Sequence, residues 1–226
     1  SVYLRFNMTE DSKNKTESIQ TMKQPHENSG VQVQGHIKIF DPESGEVFVD
    51  KRNAIHYENM SEGLAMSLAN KTTGFVHEMH FGNGGTSVDP TGVITYLPAN
   101  NTGQSADLYN PTYYKVVDNT SSLNTDPIRN KIEVRHTTSL VYTDIVVSCL
   151  LDYGEPSGQA AFDNASNFDD TYVFDELGLK AWNGTVGTGP LLTHVVFHPV
   201  QKSLNRLIQI DYTVRIQTLT NLSSVS

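Results

Sequence analysis

Several groups of residues in this chain have types and spacings that could do chemistry. His77 and His80 precede the glycine-rich run Phe81-Gly82-Asn83-Gly84-Gly85, inside "VHEMHFGNGGTSVDPTG". Such a pair suggests a metal site, and such a loop a phosphate cradle. The spacing argues against both. On a strand, residues three apart point to opposite faces, so one zinc ion does not readily take both. On a helix they share a face, but the glycines break a helix at once, and the metalloprotease signature needs histidines four apart. No Gly-Lys-Ser/Thr follows, and no helix pattern starts where a phosphate would need an N-terminus. The run reads as a strand entering a turn with positive φ.

His194 and His198 flank "VVF". A strand would show both on one face about 13 Å apart, too far to share a metal, and they read as polar positions near strand ends. "FDNASNFDD" offers Asp163, Asn164, Asp169 and Asp170 as calcium-type oxygen ligands, but without EF-hand spacing it reads as an acidic solvated loop. Asp175 and Glu176 invite a glycosidase reading, which needs two carboxyls roughly 5 to 9 Å apart across a sugar-sized cleft. Adjacent strand residues point apart, and Trp182 is the only tryptophan available as a sugar platform. Cys149 lies in the apolar run "YTDIVVSCLLDY" and reads as a small buried hydrophobe. The expectation is therefore no catalytic residue, no metal and no cofactor.

Composition narrows the classes further. The 226 residues carry 16 Lys+Arg against 25 Asp+Glu, a formal net charge of -9. Binding nucleic acid through its phosphates needs a basic face, so none is expected as a partner. No apolar run approaches the roughly 20 residues of a membrane-spanning helix, so no membrane partner is expected either. The N-terminal run lacks the pattern of a signal peptide, and the one cysteine forms no internal disulfide, which predicts synthesis in a reducing compartment. The Asn-x-Ser/Thr triplets then read as chance.

The elements that must position these residues are mostly strands. "VQVQGHIKIF" and "GEVFVDKR" flank "DPESG", a hairpin whose Pro42 and Gly45 suit a turn. One helix is predicted over about 57–71, with Met60, Leu64 and Leu68 at helical spacing, Ala65 and Ala69 widening the face and Gly74 ending it. After it come strands such as "NKIEVRHTT", "LLTHVVFHP" and the alternating "LIQIDYTVRIQT". Long loops around 98–111 and 154–170 read as interface or mobile segments. Ahead of everything, Val2, Leu4 and Phe6 alternate with Tyr3 and Arg5, and a polar tether follows. The fold class predicted is mainly β: an antiparallel β-sandwich-like domain over 31–226 with one early helix, preceded by an extended N-terminal arm and tether over 1–30. Val2, Leu4 and Phe6 are the interface candidates, seeking a sheet edge on a neighbouring copy or another protein.

Over roughly 54–218 the chain resembles tail-associated structural proteins of tailed bacteriophages, of the tail-collar-fibre and baseplate-attachment kind. The residues are Glu176-Leu177-Gly178-Leu179, Asn183-Gly184, the apolar run 191–197, His198-Pro199-Val200-Gln201-Lys202 and the alternating run 207–218. Upstream, "HFGNGGTSVDPTG", "YLP" and "LYNPTYYKVV" match in the same loose way. The resemblance implies a structural turn at Glu176, Gly178 and Leu179, with Glu176 accepting backbone hydrogen bonds. It implies a non-catalytic virion protein of the neck or collar, tail or baseplate of a phage, with a contractile tail. Such a protein is a homo-oligomer among other virion structural proteins, assembled in the host cytoplasm. The alternative is a glycan-binding or glycan-cleaving receptor module of a phage tail.

Overall fold

The computed structural model describes residues 28–157 and 171–221. The arm residues Val2, Leu4 and Phe6 and the acidic loop from Asp163 to Asp170 lie outside them. Along the chain run β1 (Asn28–Phe40), β2 (Val47–Ile55), α1 (Tyr57–Leu68), β3 (Val76–Gly82), β4 (Thr86–Val88), β5 (Ile94–Tyr96), β6 (Pro111–Val116), β7 (Lys131–His136), β8 (Tyr142–Leu151), β9 (Thr171–Ala181), β10 (Thr193–Ser203) and β11 (Ile208–Asn221). The fold is mainly β and antiparallel, and α1 is the only helix among the described residues.

Nine strands form one curled sheet in the order β6-β3-β9-β10-β2-β1-β11-β8-β7, while β4 and β5 make a separate hairpin. The curl has a narrow seam, because β10 meets β2 only at Thr193↔Ile55 and His194↔Ala54. On one side of the seam lie β6, β3, β9 and β10; on the other lie β2, β1, β11, β8 and β7. Both contribute to a single core, with Met79, Phe81, Phe174 and Leu177 from the first half and Ile37, Val147, Ile210 and Tyr212 from the second. This is the sandwich-like packing expected of strands with one apolar face.

Local chemistry explains the elements. In the β1–β2 turn, Asp41 accepts from the amides of Glu43 and Ser44, and Gly45 takes φ +76°. β11 alternates as its letters predict, with Ile208, Ile210, Tyr212 and Val214 buried. α1 is capped by His56, whose Nδ1 accepts from the Asn59 amide. Gly63 lets α1 approach the Gly74 carbonyl, which a Cβ would meet at 2.7 Å. The predicted apolar face of α1 is only partly covered: Met60 is buried, while Leu68 is 88% exposed.

β9 is interrupted by an irregularity that matters for the site. Val196 pairs with Glu176 and Val200 with Phe174, so Phe197-His198-Pro199 of β10 bulge opposite Asp175. Pro199 has no N–H to give a ladder, which suits it to a bulge. Across the break the inward parity of β9 changes, from Tyr172 and Phe174 to Leu177 and Leu179, all essentially fully buried. Glu176, Gly178 and Leu179 thus lie inside a strand, which corrects the structural turn expected there.

Candidate functional site

The outer surface of β3, β9 and β10, away from the core, carries a buried polar network. Glu176 is its centre and is 0% exposed. Its Oε1 accepts from the amides of Gly84 (3.0 Å) and Asn110 (2.8 Å), and its Oε2 from the Tyr109 amide (2.9 Å) and His194 Nε2 (2.9 Å). Beside it, Asp175 accepts from the amides of Gly85 (2.9 Å) and Thr86 (2.9 Å) and from the Thr86 hydroxyl. The expectation that adjacent strand residues point apart fails here, because the bulge in β10 lets both carboxylates reach successive amides of one loop. Burial disfavours a charged Glu176, but the hydrogen bonds from His194, Asn110, Tyr109 and Gly84 outweigh it and hold the carboxyl below its ordinary pKa.

The glycine-rich run is therefore a cradle, and its anions are the protein's own carboxylates. Its glycines are not there for positive φ, contrary to the sequence reading: Gly82, Gly84 and Gly85 are absent from the positive-φ residues. They are needed for close approach. A Cβ on Gly82 would sit 2.5 Å from Glu176 Oε1, one on Gly84 2.8 Å from the Asn110 amide, and one on Gly85 2.8 Å from Val196. Gly178 serves the same end, since a Cβ there would meet Leu191 at 2.6 Å and the Thr193 carbonyl at 2.7 Å.

His77 and His80 are brought together after all, through Glu78. The β3–β9 register shifts between Val76 and Glu78, and the distortion replaces simple alternation. His77 Nδ1 lies 3.0 Å from one Glu78 oxygen and His80 Nε2 2.7 Å from the other. The Gly187 amide donates to both oxygens at 3.0 Å, filling the position where a bidentate cation would sit. His77 also meets Ser121 and packs on Trp182, and His80 stacks on Tyr114. Burial drives the His80 pKa below its ordinary value, more than Glu78 can restore. Burial also opposes the charge on Glu78, but His80, Gly187 and His77 hold its pKa low. Among the described residues, no group of three or more His, Cys, Asp and Glu is arranged to hold a metal ion.

Three further ionisable groups, His194, His56 and Lys180, tie down the segment from Gly84 to Asn110. His194 Nδ1 accepts from the Asn100 amide at 2.7 Å, which leaves Nε2 as the donor to Glu176. His56 Nε2 lies 2.8 Å from the Gly103 carbonyl, and Lys180 pairs with Asp107 at 2.8 Å. The loop around 98–111, read from sequence as interface or mobile, is thus anchored along its length. His198 is separate: it is exposed and meets the Tyr96 hydroxyl. Cys149 is fully buried, and burial pushes its thiol up to about 12. Sequence reasoning missed Glu78, His56, Asn100, Asp107 and Lys180. A charged or hydrogen-bonding residue inside an apolar strand was the available signal for Glu78 and Lys180, because a buried charge requires partners.

The exposed features are of another kind. Beside β7 and β8 part of the apolar sheet face is open to solvent. There an apolar groove of about 640 Å³ opens between α1 and the sheet, lined by Leu64, Leu68, Ile132, Val134, Ile145 and Ile216. Val134 is 71% and Val31 63% exposed. β7 forms the sheet edge beside this groove. No known protein family matches the chain, and no curated protein or solved structure matches it either.

Proposed function

We propose that the chain is a structural component of a tailed-phage particle, in the neck or collar, tail or baseplate, working in assembly and attachment without catalysis. The kind of particle rests on the loose motif resemblance over 54–218. One observation supports the assembly role: the carboxylates and histidines of the polar network are buried and engaged, while a patch of apolar side chains faces solvent. Glu176 and Glu78 are buried on amides and histidines, whereas Leu68 and Val134 face solvent beside a sheet edge. Solvent-facing apolar surface next to an unpaired strand is the usual footprint of a protein partner. The same observation weighs against the glycan-cleaving alternative, since Asp175 and Glu176 are both committed to loop amides.

Mass spectrometry of gradient-purified particles from the source of this sequence tests the reading. The chain should be present in stoichiometric copies and located at the neck, tail or baseplate by immunogold labelling. Particles complete without it, or turnover of host-surface polysaccharide by the purified chain, would sink the proposal.

A further inference from the structure

We infer that the groove between α1 and β7-β8-β11 receives the apolar segment Val2–Met8 from a second copy of this chain. The inference rests on the assembly reading above and names the partner of that exposed surface. Three observations carry it: the shape of the free edge, the pattern of the segment and the length of chain between them.

One parity of β7 faces away from β8, and it is open beyond Ile132, whose own amide is already taken. The Ile132 amide bonds to Asn119 Oδ1, away from β8. In an antiparallel ladder, alternate residues turn both backbone groups to the same side, so Val134 and His136 also direct theirs outward. An added strand can pair there. Its side chains on the groove side would extend the row of Ile132 and Val134, and those on the other side would stay in water. The segment "VYLRFNM" has that division, with Val2, Leu4 and Phe6 on one face and Tyr3, Arg5 and Asn7 on the other. Strand addition with alternate side chains in pockets is a recurring recognition mode.

The connecting residues are long enough to reach a neighbour, which the assembly reading requires. β1 begins at Asn28, paired with Asn221, and β11 and β8 separate it from β7. A strand added beyond β7 lies four spacings from β1, about 19 Å, and Asn28 stands seven residues, about 23 Å, along from Gly35, which shares a row with Val214, Ile145 and Val134, so the local route is roughly 30 Å. Residues 9–27 span up to about 60 Å when extended. A compact chain of this size is roughly 45 Å across by radius-of-gyration scaling. Extended, the tether is about twice the local route and exceeds the width of one molecule, which suits it to the distance to an adjoining copy.

The test uses full-length chains in solution. Leu4→Cys in one preparation and Val134→Cys in another are mixed under mild oxidation, with Leu4→Cys plus Thr91→Cys as the control pair. We expect a disulfide-linked dimer in the first mixture and not in the second. Phe6→Asp and Val134→Asp, made separately, each weaken self-association in sedimentation by roughly tenfold or more, the scale of one buried apolar side chain. Val134 is 71% exposed, so its replacement leaves the fold intact by circular dichroism. A chain that stays monomeric, an association indifferent to both substitutions, or a cross-link formed only within a Leu4→Cys/Val134→Cys double variant would overturn the inference. Particle incorporation is measured separately. A chain present in particles without this contact refutes the groove alone, and a chain that swaps arms but is absent from particles refutes the particle assignment alone.

Discussion

Replacing Glu176 by Gln tests the central claim that the carboxylate, as an acceptor of four hydrogen bonds, fastens the loop to the sheet. All its partners are donors: the amides of Gly84, Asn110 and Tyr109, and His194 Nε2. A glutamine amide keeps one acceptor atom and turns the other into a donor. However it is placed, its NH₂ faces two N–H groups. His194 cannot relieve this by changing tautomer, because its Nδ1 already accepts from the Asn100 amide. Each orphaned buried donor costs about 1–3 kcal/mol, and the two retained bonds lose their charge assistance. Against this stands the cost of burying a carboxylate, which the variant avoids. A net loss of roughly 3–5 kcal/mol follows, a large part of a typical domain's 5–15 kcal/mol. Glutamine, which a simple turn would tolerate better than alanine, is then expected to be at least as damaging as Glu176→Ala.

Urea denaturation followed by Trp182 fluorescence and circular dichroism measures the loss, and hydrogen exchange places it. Protection should fall first at 83–86 and 97–110. The pH dependence has a defined sign. Glu176 has a depressed folded-state pKa, so the unfolded chain takes up its proton first as pH falls. Its contribution is full above the ordinary glutamate pKa and is lost as pH drops through the lower folded value. The variant should show a shallower acid slope, with Glu78, depressed in the same way, supplying part of what remains. A Glu176→Gln protein within about 0.5 kcal/mol of wild type, the range of an ordinary surface change, would refute the reasoning.

Gly178→Ala should already destabilise, by about 1–3 kcal/mol for an overpacked site, and Gly178→Val by more, because the Thr193 carbonyl at 2.7 Å belongs to the next strand and cannot swing away; thermal melts showing a neutral Gly178→Ala would remove the close-approach argument. His77→Ala with His80→Ala should change no metal content, and elemental analysis of chelator-free wild type should find well under one equivalent of zinc; a full equivalent lost in the double variant would count against the Glu78-centred reading. Lys202, fully buried with its Nζ on the carbonyls of Glu155 and Ser203, is lowered by burial to about 8. Between pH 8 and 9 the folded state has released that proton while the unfolded state keeps it, so stability should rise by at most about 1.4 kcal/mol. Above pH 9 the retained thiol proton of Cys149 opposes the trend, and Lys202→Met should flatten the rise in denaturation curves taken at pH 8 and 9.

What could be read from letters alone was whatever depends on side-chain pattern. The alternation of Ile208, Ile210, Tyr212 and Val214 marks β11 because each inward residue has to be apolar. "DPESG" marks the hairpin because its turn needs a short acceptor and a residue at positive φ. The loop's anchoring left no such mark, since the groups that hold it at Gly84, Gly85, Tyr109 and Asn110 are backbone amides, which every residue but proline carries. The bulges were hidden too: nothing in "YVFDELGLKA" says where the inward parity changes. Yet one anomaly stood in plain view. An acidic pair in a run of Tyr172, Phe174, Leu177 and Leu179 cannot be buried without donors, and the chain's densest supply of unhindered amides is the glycine run that follows His80. Reading the two as partners, rather than each as a separate candidate for an outside ligand, would have reached the cradle and also the reason its glycines are bare: the run lies so close to its surroundings that a Cβ would collide with Glu176 at Gly82, with the Asn110 amide at Gly84 and with Val196 at Gly85.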